Sequence, residues 1–490
     1  MLNSSNSESS DGFGTPREKE FMASAPPIAM IPPELLCNIF TLGMLPVKFS
    51  EMAVIPATDR SIFQDPWILG GPWVLGQVCS LWRAVALSLP TIWTSITVFT
   101  TIMPHEFSLL NTQLARTAQH PLDVHIRFTN RFGSWEPYSD EFNLFLVTLM
   151  SHSRRWRTFH LQFDTKQRPH EEFNALGPGT LPILQELVFS GPGVYHVNKY
   201  DFFKDAPALR RVVLGTRGMS LVGNIALPWA QLTTYKATYL DAASHFRYLA
   251  VAVNLVDCDL DCDGSPHDDI RLHSAVILPR LRRLAVSHPV LLAALSAPAL
   301  QSLYIVGPVE NVADFLGRSG CTSALTELTL AECTAPASEI IALLQETCGL
   351  TTLALYPRSS PTALVAAFTA PECLCPNLGS LSWADFDDAL DWGAFAKMVL
   401  SRCTESSSVR PLHFVAIYSG RRLMKKAVWC LHELPGLEVV TMNMKKGSVP
   451  PLSRTPARWT RTQPFGSFRV KVPTVQHRPV HRVSLAPLPF

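Results

Sequence analysis

A short run of apolar residues, Leu-x-x-Leu-x-Leu, recurs along most of this 490-residue chain and constrains its fold more than any other feature. Clear copies are Leu184–Phe189, Leu209–Leu214 and Leu281–Val286, with others beginning at Leu300, Leu325, Leu350 and Leu378. Weaker copies begin at Leu232 and Leu255, and outliers lie near Leu122, Trp156, Leu412 and Leu437. The best-matched starts are 19–28 residues apart. Within each run the alternation predicts a short strand, with leucines on one face and the intervening residue on the other. Between strands, stretches such as Ser338–Thr347 and Asp391–Cys403 carry apolar residues at helical spacing. No such unit buries its apolar face alone, so neighbours must stack. About a dozen strands roughly 4.8 Å apart make a sheet of roughly 55–60 Å.

The segment Leu325–Cys333 reproduces the full L-x-x-L-x-L-x-x-C form, and the period resembles that of leucine-rich repeats. The expected fold class is α/β: a short helical domain followed by an irregular repeat solenoid with a curved parallel sheet. The boundaries read from the sequence are a polar, disordered leader at 1–27, a helical domain at 28–100 with an insertion at 47–71, repeats over 101–446, and a disordered tail at 447–490.

The helical domain rests on two segments. In Ile31–Phe40, Pro32 and Pro33 suit a helix start, Glu34 favours its positive end, and Leu35, Leu36, Ile39 and Phe40 fall at helical spacing. In the second, Leu75, Val78, Cys79, Trp82 and Val85 continue that spacing as one helix, stopped at Leu89-Pro90 before Trp93. Together with the order W-R-A-V-A-L-S-L-P-T-I-W, these segments resemble an F-box, in the arrangement of a large fungal F-box family. The resemblance implies a module that docks a Skp-type adaptor and so joins the chain to a cullin ubiquitin ligase. Its adaptor-facing positions correspond to Pro32, Pro33, Leu35, Leu36, Ile39, Phe40, Val78, Cys79, Trp82, Leu89, Pro90 and Trp93. Leu36, Phe40, Trp82 and Trp93 are expected to bury against the adaptor, while the repeats hold a protein substrate. The alternative is a repeat scaffold that docks partners without promoting ubiquitination.

Charge and motifs limit the other classes. Net charge is only +2, yet residues 441–490 hold nine Lys and Arg with no acid, so the rest of the chain is net −7. The tail reads as solubilising, and no nucleic-acid or membrane partner is expected. The eleven cysteines lack a pairing pattern and residues 1–20 lack an apolar leader, which points to reduced thiols in the cytoplasm or nucleus. No phosphate-cradling, zinc-protease or nucleophile-elbow signature is present, so no catalytic residue and no cofactor is assigned. Asp259, Asp261, Asp263 and Gly264 match the opening of a calcium loop, but Ile270 stands where its closing Glu belongs. A solvated acidic turn is the expectation there. Neither Cys258 with Cys262 nor Cys373 with Cys375 has the second pair a structural zinc needs. Arg210, Arg211, Arg282 and Arg283 read as two solvated basic spots. The outward strand positions read Val188, Val213, Lys236, Asp259, Ala285, Tyr304, Thr329, Ala354 and Ser382, a mostly neutral face with Tyr304 as an anchor for a protein ligand.

Overall fold

A computed structural model describes residues 31–43, 71–99, 104–128, 140–163, 180–192, 201–217, 225–238, 242–262, 275–358, 361–369, 373–385, 390–403, 409–419 and 430–443. The leader, most of the 47–71 insertion and the 447–490 tail lie outside the described residues. Among the described residues, three helices come first: α1 (Pro33–Gly43), α2 (Pro72–Val78) and α3 (Ser80–Leu87). The chain then alternates strands with crossover segments: β1 (Ser95–Phe99), α4 (Pro104–Arg116), β2 (Leu122–Phe128), α5 (Asp140–Met150), β3 (Trp156–Phe163), β4 (Glu186–Pro192), β5 (Arg211–Arg217), β6 (Thr234–Thr238), α6 (Ala242–Leu249) and β7 (Asp257–Leu260). There follow β8 (Val276–Ile277), β9 (Arg283–Val286), β10 (Leu295–Ser296), β11 (Ser302–Val306), α7 (Val312–Ser319), β12 (Glu327–Cys333), α8 (Ala337–Glu346) and β13 (Thr352–Pro357). The last elements are α9 (Pro361–Phe368), β14 (Ser380–Asp385), α10 (Trp392–Cys403), β15 (Phe414–Ser419) and β16 (Glu438–Asn443).

Fourteen strands form one parallel sheet in chain order, β8 and β10 pairing separately. The described crossover helices, α4 to α10, pack into one core with a single face of the sheet. That face holds the repeat leucines in register: Leu187, Val212, Tyr235, Cys258, Leu284, Leu303, Leu328, Leu353, Leu381 and Val415 form one continuous row. The helices close over it. Phe315, Ile340, Leu364 and Phe395 share a buried cluster with these rows. The first leucine of each run, from Leu184 to Leu437, is buried below the strand edge. There a single carbonyl accepts two N–H groups from the next repeat: Arg210 O from Thr233 and Thr234, Thr233 O from Val256 and Asp257, Thr326 O from Thr351 and Thr352. This bond pattern, set by the backbone, keeps the register through runs whose side chains are poor matches, such as those at Leu232 and Leu255.

The sheet begins at Ser95, five residues before Thr100, because Ile96 and Val98 alternate like a repeat strand and pair with β2. The helices predicted at 338–347 and 391–403 are observed as α8 and α10.

Two expectations about the second face are corrected. Asp259, read as part of a solvated turn, is buried on β7 with Asp257, where the repeat run from Leu255 places a strand; Asp257 pairs with Arg283 at 3.1 Å and Asp259 with Lys236 at 4.0 Å, while Asp263 and Gly264 lie outside the described residues. Burial without those cations would be too costly, and the neighbouring strands supply them. Arg283, and likewise Arg211 beside Glu186, are therefore partners in ion pairs while keeping part of their solvent contact, and Arg210 and Arg282 are exposed, as expected of basic spots at the surface. The nine outward positions do form one row in register, yet none is exposed, and Tyr304 is buried. A parallel neighbour about 4.8 Å away on each side screens each one. Tyr304 is thus packed in the sheet surface and not displayed as an anchor.

Candidate docking surface

The opening helices form a separate small core. Leu36, Phe40, Leu75, Val85, Ala86, Ile92 and Trp93 are buried together, with Trp82 and Leu89 packed at the edge. Pro33 starts α1, where its missing N–H costs nothing, and Glu34 lies in the positive first turn. Pro72 starts α2 after extended Gly71. The run predicted as one helix breaks at Cys79, whose backbone is extended (φ −159°). Cys79 then caps α3, its Sγ accepting from Trp82 N at 3.5 Å. The break turns Trp82 edge-on to Phe40, with ring centroids 4.9 Å apart. A 3-10 turn at Pro90–Trp93 carries Trp93 inward, where its Nε1 donates to Ala86 O at 2.8 Å.

This core accounts for part of the predicted adaptor-facing set. Leu36 (0% exposed), Phe40 (2%) and Trp93 (2%) are the module's own interior, a correction to the expectation that they bury against a partner. Trp82, Cys79, Leu89 and Pro90 are half-buried at its border. Pro32, Pro33, Leu35, Ile39 and Val78 face outward. Leu35 (53% exposed), Ile39 (50%) and Leu42 (69%) stand at i, i+4 and i+7 in a stripe beside the one that carries Leu36 and Phe40, turned from it by roughly 110°. Leu42 was not among the sequence-derived positions, although its spacing from Leu35 is the signal that would have found it. Leu87, at the end of α3, is a further exposed apolar residue. A surface helix ordinarily turns polar residues to water, so α1 is apolar on two sides. One side is satisfied inside the module; the other is exposed.

The module is fixed to the sheet through α4. The Arg116 guanidinium lies 4.6 Å from the Trp73 ring and 4.4 Å from Trp93, while those rings meet edge-on at 4.9 Å. Burial lowers the Arg116 pKa. Gln113 Nε2 donates to the carbonyls of Trp93 (3.0 Å) and Ser95 (2.8 Å), tying the last turn of the module to β1. Nothing in the spacing of the sequence marks Arg116 or Gln113, because their partners lie 18 or more residues away.

On the second face of the sheet, β2 to β9 carry mutually paired charges. Arg157 binds Asp123; His125 and His160 meet through their Nδ1 atoms at 2.8 Å; His160 Nε2 lies 3.4 Å from Glu186, which also faces Arg211 at 3.3 Å. Burial, with His160 alongside, pushes His125 down to about 3. Burial alone would raise Glu186, but hydrogen bonds and charge from His160 and Arg211 hold it below the usual range. From β9 onward the face turns apolar, with Ala285, Tyr304, Ala331, Tyr356, Ala384, Phe414, Ala416 and Tyr418 in one cluster. Among the described residues, no three His, Cys, Asp or Glu side chains gather in a metal-holding arrangement, and no helix is long and apolar enough to cross a membrane. No protein-family model and no curated protein sequence matches this chain.

Proposed function

We propose that this chain is the substrate-receptor subunit of a Skp–cullin–F-box ubiquitin ligase. Its helical module is F-box-like and docks the Skp-type adaptor, and its sheet is a leucine-rich-repeat-like solenoid that holds a protein substrate. The observation that carries the reading is the outward stripe Leu35, Ile39 and Leu42 on a helix whose other side is already packed. Hiding such side chains contributes about 1.5–3 kcal/mol each. The chain itself performs no chemistry on this reading. Its role is to raise the effective concentration of a substrate lysine near the ubiquitin-charged enzyme, which requires a stiff connection between docking module and repeats. The Arg116 contact with Trp73 and Trp93 supplies stiffness of that kind.

Affinity purification of the full chain from its native cells, followed by probing for adaptor and cullin, tests the reading. Recovery of both supports a ligase subunit. Adaptor without cullin supports the non-ubiquitinating scaffold. In the companion variant, Leu35→Asp with Ile39→Asp should reduce adaptor capture by at least about a hundredfold, since each change removes apolar contact and buries a charge. Unchanged capture by that variant overturns both docking readings.

A further inference from the structure

The edge of the sheet where the strands begin holds a groove that the docking role does not use. Its cavity, about 320 Å³, is lined by Arg210, Gln231, Thr233, Asn254, Val256 and Arg280. The hydrogen bonds of the turns show how these residues are arranged. Arg210 O, Thr233 O and Val256 O each accept the N–H pair of the next repeat, so Arg210, Thr233 and Val256 are equivalent positions on successive turns. Gln231, Asn254 and Arg280 form a second column, two residues before Thr233, Val256 and Arg282. The groove therefore crosses the turns before β5, β6, β7 and β9, with an arginine at each end. Three steps of about 4.8 Å separate the two backbones, roughly 14 Å.

The polar floor between them is fixed. Gln231 Nε2 donates to Ala206 O (2.7 Å) and Leu209 O (3.0 Å), Asn254 Nδ2 to Ala230 O (2.7 Å), and Thr233 Oγ1 to Arg210 O (3.3 Å). Arg210 is anchored by one terminal nitrogen, Nη1, to the carbonyls of Pro207 and Leu209, both at 2.9 Å. Its other N–H donors have no partner among the described residues, and Arg280 has none there at all. The arginines on the adjoining face differ: Arg211 is held by Glu186 and Arg283 by Asp257. In a body that is net acidic, this groove has two guanidinium groups and, among the described residues, no carboxylate lining it.

We infer that the Arg210–Arg280 groove is a binding site for an extended peptide segment bearing two carboxylate side chains four residues apart. In a strand, residues i and i+4 lie on one face about 13 Å apart, close to the three-step spacing of the turns that carry the arginines, and the long arginine side chains take up the offset between their columns. Each guanidinium offers a two-pronged contact that a carboxylate fills. The inference stands on the repeat array alone and does not need α1 to bind an adaptor.

The probe is the peptide carboxyfluorescein-Gly-Gly-Glu-Ser-Val-Ser-Glu-NH2, titrated by anisotropy against the full chain at low salt, where screening is weak. Its Gln-for-Glu counterpart is the control. Arg210→Gln and Arg280→Gln should each weaken binding about three- to tenfold, and the double variant should bind the Glu peptide no better than the control. Arg210→Lys with Arg280→Lys, which keeps the charge but loses the fork, should fall between wild type and the double Gln variant. Leu35→Asp with Ile39→Asp should bind the peptide as wild type does. Equal binding of Glu and Gln peptides, an unchanged affinity in the double Gln variant, or capture of a single-stranded oligonucleotide at these arginines without the peptide would overturn the assignment.

Discussion

Leu35 and Leu36 are adjacent, chemically identical and on the same helix, yet they should respond to truncation in opposite ways. Leu36 is fully buried and is itself one of the seven buried apolar side chains of this small core. Leu36→Ala removes that burial and leaves a cavity, at a cost of about 3–5 kcal/mol. Leu35 is half exposed and belongs to no buried cluster. Leu35→Ala should therefore change stability by less than about 0.5 kcal/mol. A global melt would mix this with the unfolding of a fourteen-strand sheet, so the suitable assay is hydrogen exchange read on peptides covering 31–43 and 72–93. Leu36→Ala should speed exchange in both segments by two orders of magnitude or more, since about 1.4 kcal/mol corresponds to tenfold. Leu35→Ala should leave exchange as in wild type while weakening adaptor capture. Equal destabilisation by the two changes would mean that the outer stripe is structural, and the argument from a second unsatisfied side of α1 would fail.

Other perturbations test the joint, the sheet and the buried histidine pair. Arg116→Ala should loosen the module from the sheet by about 1–2 kcal/mol, seen as faster exchange in 72–93 with β5 to β13 unaffected. Gly349→Ala would set its Cβ 2.7 Å from the Ser323 carbonyl oxygen, a backbone atom that cannot swing aside, and should cost about 1–3 kcal/mol in urea unfolding. His125 stays neutral in the fold down to about 3, whereas an unfolded histidine protonates near 6.5. The unfolded chain therefore binds more protons as pH falls through that window, and stability should drop by about 2 kcal/mol between pH 7 and pH 5. His125→Gln should flatten this slope in urea titrations at the two pH values; an unaltered slope would place its origin elsewhere.

The repeat is where sequence and structure agree most closely. The runs from Leu122 to Leu437 become strands β2 to β16, apart from the small β8–β10 pair, and their alternation assigns the faces correctly. Strand periodicity is local, so two or three leucines suffice to declare it. The break at Cys79 was not legible, because apolar spacing is the same whether one helix or two carry it, and only the extended backbone at Cys79 separates them. Asp259 misled for a related reason: the cation that accompanies its burial, Lys236, belongs to a neighbouring strand more than twenty residues away.

Hydrophobic period and helix-start residues act over a few positions, so the stacking of short parallel strands under helices, after two apolar segments, is already legible in the chain. Which apolar side chains are interior and which are left for a partner was decided only in three dimensions. Leu35 and Leu36 carry the same signal in one dimension. The packing of α1 against α3 and Trp93 consumes one and exposes the other. The same holds for charge: Arg210 and Arg211 are equivalent in the chain, and only the register with β4 gives Arg211 its carboxylate and leaves Arg210 at the rim without one.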